Sequence, residues 1–246
     1  MQAAASAAGR VGWLRDWQYA HRGLHGGGVA ENSPAAFAGA IVRGLGIECD
    51  VQISRDGRAM VFHDWTLERL TDEVGDVSAR DRAELERIAL RVGGERIPTI
   101  EALLAQVGGL VPLLVEIKSK REFDPVPLCA AVERALRSYE GAVAVMSFDP
   151  RVPKWFADHA PCVVRGLVVT EENDRGMAGR LRRRLAFRHA RPHFLAYDVR
   201  DLPSTFAAAH RARGVPLLTW TVRSPDLRAR AAAHADAPIA EGAGLA

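Results

Sequence analysis

The sequence predicts an α/β fold of the (β/α)8 TIM-barrel class, with a small insertion after the second strand. Two observations carry this. Short apolar, β-branched runs alternate with Ala/Leu/Arg-rich stretches of helical period along all 246 residues, the pattern of a parallel sheet covered by helices. Eight such runs are present, and about 250 residues is the usual size of that barrel; alternation alone also fits a doubly wound sheet. No internal repeat, low-complexity tract or long linker divides the chain, so residues 1–246 read as a single domain.

The first strand is expected over Gln18 to His21, running into Arg22-Gly23, where glycine lets the backbone approach a ligand closely. Glu31-Asn32-Ser33-Pro34 follows, with Ser33 as N-cap and Pro34 opening a helix that runs to about Arg43. In the second strand, Leu45 to Val51, the period of two puts Glu48 and Asp50 on one face and Ile47, Cys49 and Val51 on the other. With the apolar face against the helices, both carboxylates point inward at the strand's C-terminal end, where barrel active sites sit. Cys49 is then a buried thiol of the helix layer.

Ser54-Arg55-Asp56-Gly57-Arg58 comes next. It is too short for a parallel crossover, and Asp-Gly is a hairpin turn. Ala59 to His63 is therefore expected antiparallel to the preceding strand, opening an insertion over about residues 52–109 that caps the C-terminal mouth. With a two-residue turn, His63 falls opposite Asp50, with β-carbons roughly 4.5 to 5.5 Å apart. Asp64 reads as a turn residue. The remaining strands are expected at Leu113 to Ile117, Ala142 to Ser147, Val163 to Val169, Phe194 to Val199, Pro216 to Val222 and Ala237 to Ala240. The first of these places Glu116 and Lys118 on the face opposite Val115 and Ile117.

Composition narrows the class further. At 48% hydrophobic and 26% charged residues the chain is globular, not disordered. No apolar run approaches the roughly 18 residues of a spanning helix, so no transmembrane segment is expected. Met1 to Ala8 lacks a basic flank and a long apolar stretch, so no export signal is expected. The three cysteines, Cys49, Cys129 and Cys162, show no Cys-x-x-Cys spacing, which points to a reducing, cytoplasmic setting. The net charge of +3 is evenly interspersed, so a nucleic-acid partner is not expected. The one dense cluster, Arg180, Arg182, Arg183, Arg184, Arg188 and Arg191, reads first as a solvated helix face and second as a contact for an anionic surface or substrate. Oligomeric state leaves no mark in the sequence.

Three inward carboxylates without partners would repel and raise one another's pKa, so Glu48, Asp50 and Glu116 make sense around a hard divalent cation, Mg²⁺ or Ca²⁺. Zinc fits less well, because no His/Cys set of zinc spacing is present. A cation beside His21, His63, Arg22 and Lys118 suits a phosphate ester: positive groups offset phosphoryl charge while the imidazoles move protons.

The runs Ala20-His21-Arg22-Gly23, Glu31-Asn32-Ser33, Glu48-Cys49-Asp50-Val51, Asp56-Gly57, Val61-Phe62-His63-Asp64, Leu70-Thr71, Ile97-Pro98-Thr99-Ile100-Glu101 and Glu116-Ile117-Lys118 together resemble the glycerophosphodiester phosphodiesterase family. Ser147-Phe148-Asp149 and Trp220-Thr221-Val222 add weaker likeness in the second half. The resemblance implies a (β/α)8 barrel with an insertion after strand two. It matches Glu48, Asp50 and Glu116 to the metal ligands, His21 and His63 to the acid/base pair, and Arg22 and Lys118 to the phosphate-binding positions. The implied reaction cleaves a small glycerophosphodiester to sn-glycerol 3-phosphate and an alcohol, with attack by the glycerol hydroxyl, a cyclic phosphate, and its opening by water. Beside these, Trp220 reads as a substrate wall or a packing residue, and Glu31 as support for His21 or Arg22. The family pattern is departed from at Arg223 and at Pro238-Ile239-Ala240-Glu241-Gly242. Two other functions fit the same residues: a lysophospholipase D-type phosphodiesterase, and a non-catalytic barrel that binds a phosphorylated ligand.

Overall fold

A computed structural model describes residues 7–172 and 174–245; the first six residues of the expected non-signal start lie outside them. In chain order the elements are α1 (Ala7–Val11), β1 (Tyr19–Ala20), α2 (Pro34–Val42), β2 (Gly46–Ile53), β3 (Ala59–Val61), α3 (Arg82–Leu85), α4 (Ile100–Val107), β4 (Leu113–Ile117) and α5 (Val126–Leu136). They continue with β5 (Val143–Ser147), α6 (Arg151–His159), β6 (Val164–Val169), α7 (Met177–Ala190), β7 (Phe194–Asp198), α8 (Thr205–Arg211), β8 (Leu217–Val222), α9 (Pro225–His234) and β9 (Ala237–Ala240). Apart from the hairpin strand β3 and the short helix α3 that follows it, strands and helices alternate, and the fold is a (β/α)8 barrel. No helix among the described residues is long and apolar enough to cross a membrane.

The chain forms two compact units, 20–143 and 1–19 with 144–246. In the first, β2 and β4 pair in parallel with Glu48 beside Leu114 and Asp50 beside Glu116. Parallel partners face the same way, so this register brings acids of two strands together. Ile47, Cys49 and Val51 on the other face are fully buried, as their alternation requires. Ser33 caps α2, its hydroxyl accepting from the Ala36 amide at 3.2 Å, and Pro34 takes the first helical position.

The hairpin after β2 is antiparallel, but its register differs from expectation by one residue. Val51 pairs with Val61, Gln52 with Met60 and Ile53 with Ala59. The turn is not the two-residue Asp56-Gly57 form. Ser54 N–H donates to the Arg58 carbonyl at 2.9 Å and Gly57 N–H to the Ser54 carbonyl at 3.0 Å, with Gly57 at φ 74. That is a three-residue loop ending in a left-handed residue. Phe62, not His63, therefore lies against Asp50, its N–H donating to the Asp50 carbonyl at 3.0 Å. Phe62 joins Met60, Leu67, Val77, Leu85 and Ile97 in a buried core of the excursion's own, which lets a segment poor in regular structure hold its shape.

In the second unit, β5 through β9 run parallel in sequential order. The face turned to the helices packs Leu167, Val169, Leu195, Tyr197 and Leu217 against α7 and α8. The departures from the family pattern are accommodated locally. Arg223 pairs with Glu241 at 2.5 Å, and the Arg228 guanidinium donates to the Gly244 carbonyl at 3.1 Å.

Candidate active site

The residues matched to metal ligation, acid/base chemistry and phosphate binding, with Glu31, all belong to the 20–143 unit; Trp220 and the arginine cluster at 180–191 belong to the other. β2 and β4 place Glu48, Asp50 and Glu116 so that one carboxylate oxygen from each lies within 4.8 Å of the others, and all three residues are buried. Lys118, two residues past Glu116 on the same face, sets its ammonium 2.8 Å from Glu116 and 3.4 Å from Asp50.

Arg22 enters from the end of β1 with φ 55, a conformation rare for a non-glycine residue, followed by Gly23 at φ 78. A β-carbon on Gly23 would lie 2.8 Å from the Ala36 β-carbon, so only glycine lets this turn rest on α2. The turn aims the Arg22 N–H at Glu48 (3.0 Å) and its guanidinium at Asp50 (3.2 Å) and Glu31 (2.7 Å). His21 Nε2 is 4.0 Å from Glu48.

His63 reaches this cluster from the loop after β3, not from a cross-strand position. The Gln52 carboxamide holds its backbone by donating to the His63 carbonyl at 3.0 Å and to the Asp64 carbonyl. Asp64 is more than the turn residue expected from sequence: its carboxylate meets His63 Nδ1 at 2.6 Å and the Arg69 guanidinium at 2.9 Å. Arg69 also donates to Glu31 at 2.7 and 2.9 Å, and Glu31 holds Arg22. A continuous chain of charged contacts thus runs from His63 through Asp64, Arg69 and Glu31 to Arg22.

In the sequence Asn32 belongs to a helix start and to one of the runs that carry the family resemblance, with no role of its own assigned. Its amide donates to an Asp50 carboxylate oxygen at 3.0 Å and its carbonyl accepts from the Asp50 N–H at 3.2 Å. Its φ of 53 and the bond from its own N–H to the Arg22 carbonyl at 2.9 Å tie this clamp to the Arg22 turn. Gln52, Asp64 and Asn32 each sit one or two positions from a residue already singled out. Adjacency is the only signal in the sequence for Gln52, whereas Asn32 and Asp64 also fall within the runs that carry the family resemblance.

The electrostatics divide the three acids. Burial, with Asp50 and Glu116 nearby, pushes Glu48 well above the usual carboxylate range. Burial also raises Glu116, with Asp50 adding to it and Lys118 partly offsetting it. For Asp50, burial is overcome by Lys118, Arg22, His63 and the Asn32 hydrogen bond, so it is held below its ordinary value. Burial lowers the His63 pKa, with Lys118 and Arg22 adding to the shift against the pull of Asp50 and Asp64. Asp64, though desolvated, is brought down to about 2 by Arg69 and His63. The donors are all oxygen and Glu48 is poorly neutralised, which is the chemistry of a site for a hard divalent cation.

Trp220 lies half-buried on β8 of the other unit, edge-to-face with Phe148 at 5.2 Å, and its ring N–H donates to the Ala196 carbonyl at 3.0 Å. Cys49 is fully buried, as expected of a thiol on the helix face.

A sequence model of the glycerophosphoryl diester phosphodiesterase family matches residues 21–239. A glycerophosphodiester phosphodiesterase of Caldanaerobacter subterraneus is 35% identical over 140 residues, 53% of this chain and 57% of that protein. The Bacillus subtilis protein YhdW is 29% identical over 220 residues, 86% of this chain and 88% of that protein. The chain thus spans little more than half the length of the first relative and most of the second. Among solved structures, an Oleispira antarctica phosphodiesterase in complex with the product sn-glycerol-3-phosphate superposes with a TM-score of 0.79 at 23% identity, covering 91% of this chain and 92% of that one. A Thermotoga maritima glycerophosphodiester phosphodiesterase gives 0.73 at 22% identity, covering 90% and 92%. These structures share the barrel fold. With the family match extending from His21 to Ile239, this chain belongs to the glycerophosphoryl diester phosphodiesterase family, a family of enzymes.

Proposed function

We propose that the protein hydrolyses small glycerophosphodiesters to sn-glycerol 3-phosphate and an alcohol, with a divalent cation, Mg²⁺ or Ca²⁺, held by Glu48, Asp50 and Glu116. The observation that carries this reading is the buried triad of carboxylates, within 4.8 Å of one another, with Arg22 and Lys118 against it. When bound, the cation supplies a fixed positive charge that polarises a phosphoryl oxygen.

The chain's own residues do the rest. Arg22 and Lys118 hold the phosphate oxygens and offset the charge that builds on them. Glu31, fixed by Arg69, keeps the Arg22 guanidinium from rotating away. His63, kept neutral by burial and held through Nδ1 by Asp64, presents Nε2 as the acceptor for the glycerol hydroxyl proton. As that oxygen bonds to phosphorus, the bond to the alcohol breaks and His21 donates the proton the departing alkoxide needs. Water then opens the cyclic phosphate with the two histidines exchanging roles.

The test is release of glycerol 3-phosphate from glycerophosphocholine and glycerophosphoethanolamine, with and without EDTA. Chelation is expected to abolish it, and readdition of Mg²⁺ or Ca²⁺ to restore it. Activity retained in full after exhaustive chelation overturns the cation's part. His21→Ala and His63→Ala are each expected to lower turnover roughly 10²- to 10⁴-fold in a folded protein. Near-native turnover in either removes that histidine from the mechanism.

A further inference from the structure

The arginine cluster on α7 resolves into two sets. Arg182, Arg183 and Arg191 turn to acids of their own unit, pairing with Asp174, Glu171 and Asp158. Arg180, Arg184 and Arg188 are exposed and form no ion pair among the described residues. They are spaced four apart, so three like charges stack along one side of the helix, an arrangement that costs stability unless an anion meets it.

Beside this stripe the helix is apolar where it should be polar. Gly179, Arg183 and Ala190 make up its buried face. Met177, Leu181 and Leu185, again four apart, are 85%, 57% and 55% exposed. A surface helix ordinarily turns such residues to the core. Here α7 hides an arginine and shows a ridge of methionine and leucine. A cleft of about 880 Å³ between α7 and α8 continues the pattern, with Phe187 and Phe206 on its walls and Arg180, Arg184, Arg188 and Arg213 around it. All of this lies in the 144–246 unit, on elements that carry none of the acids or histidines of the candidate active site.

We propose that α7 docks the protein on an anionic phospholipid bilayer, with Met177, Leu181 and Leu185 entering the acyl boundary while Arg180, Arg184 and Arg188 pair with lipid phosphates. Charge complementarity selects this occupant: a bilayer interface offers phosphates and hydrocarbon side by side over the length of a helix, which a soluble anion does not. The apolar ridge separates it from a nucleic acid, which would use the arginines and leave the leucines in water.

The test is co-sedimentation of the full chain with vesicles of phosphatidylcholine alone and of phosphatidylcholine mixed with phosphatidylglycerol, at low and high salt. Binding to the mixed vesicles alone, weakened by salt, is expected. Arg184→Glu with Arg188→Glu, and separately Leu181→Ser with Leu185→Ser, are each expected to weaken it roughly tenfold or more. Arg184→Lys with Arg188→Lys is expected to retain it. All four substituted positions are exposed, and unchanged thermal melts show that the variants fold. Failure to prefer the anionic vesicles overturns the proposal. So does a serine variant that binds like the parent, since the ridge then enters nothing and the arginines serve a soluble polyanion. Neither result bears on hydrolysis, which is read separately on water-soluble diesters.

Discussion

Asp64 does for His63 what no neighbouring strand does: it fixes the ring through Nδ1, so that Nε2 is the nitrogen left for proton transfer. Asp64→Asn removes the negative charge that stabilises an imidazolium and loosens Arg69, which also holds Glu31. Turnover is expected to fall roughly 10- to 10³-fold. The direction of the accompanying pH change separates this from general damage. Burial already places the His63 pKa below 6.5, and Asp64 pulls it upward. Its loss therefore lowers that pKa further, and the acid limb of kcat/KM should move to lower pH; an unmoved limb assigns Asp64 a structural part only. Asn32 acts in the same way on an acid. Its two bonds fix the orientation of Asp50, so Asn32→Ala is expected to raise the Kd for a divalent cation roughly tenfold to a hundredfold, as removal of a group orienting a ligand commonly does. Calorimetric titration measures it, and an unchanged Kd removes Asn32 from the site's support.

At the scale of elements, the hairpin shows what a linear reading can and cannot supply. Period two along β2 and β4 places Glu48, Asp50, Glu116 and Lys118 on one face, and the structure brings them together. Regular strands have one geometry, so their faces are legible. Register across a turn is not, because the Asp-Gly pair suits both a two-residue turn and the longer loop found here, and one residue exchanges Phe62 for His63 opposite Asp50. What brings His63 to the acids is instead the Gln52 carboxamide and the excursion's small core, both set by contacts distant in sequence. The turn itself is testable. Gly57 has φ 74, and a β-carbon there would meet nothing within 4 Å. Gly57→Ala therefore adds strain without a clash, costing about 1 kcal/mol, or roughly 2 to 4 °C in Tm for a chain of this size. A variant as stable as the parent would show that this loop has another low-energy form.

For the whole molecule, the candidate site is a cost that a bound cation relieves, and the cost has a pH signature. Glu48 and Glu116 have pKa values raised above 4.5, chiefly by burial. Above pH 4.5 the unfolded chain releases their protons more readily than the folded one does, so these two groups make the cation-free protein less stable as pH rises from there. Asp50 and Asp64 have lowered values, with Asp64 at about 2. Their contribution is complete above the ordinary Asp range and is lost only as pH falls below it, so they do not mask the effect of the two glutamates. A divalent cation binds the ionised carboxylates and must displace the proton Glu48 retains. Added Mg²⁺ or Ca²⁺ is therefore expected to raise Tm, by an amount that grows with the ratio of free cation to Kd. The gap between cation-loaded and EDTA-treated protein should widen from pH 5 toward pH 7, with proton release on binding at the acid end. Melting curves at a series of pH values, paired with titration calorimetry in buffers of different ionisation enthalpy, measure both. A gap that stays constant with pH, with no proton released, would mean that Glu48 is already ionised without a cation; no gap at any pH would mean that the three carboxylates hold no common cation.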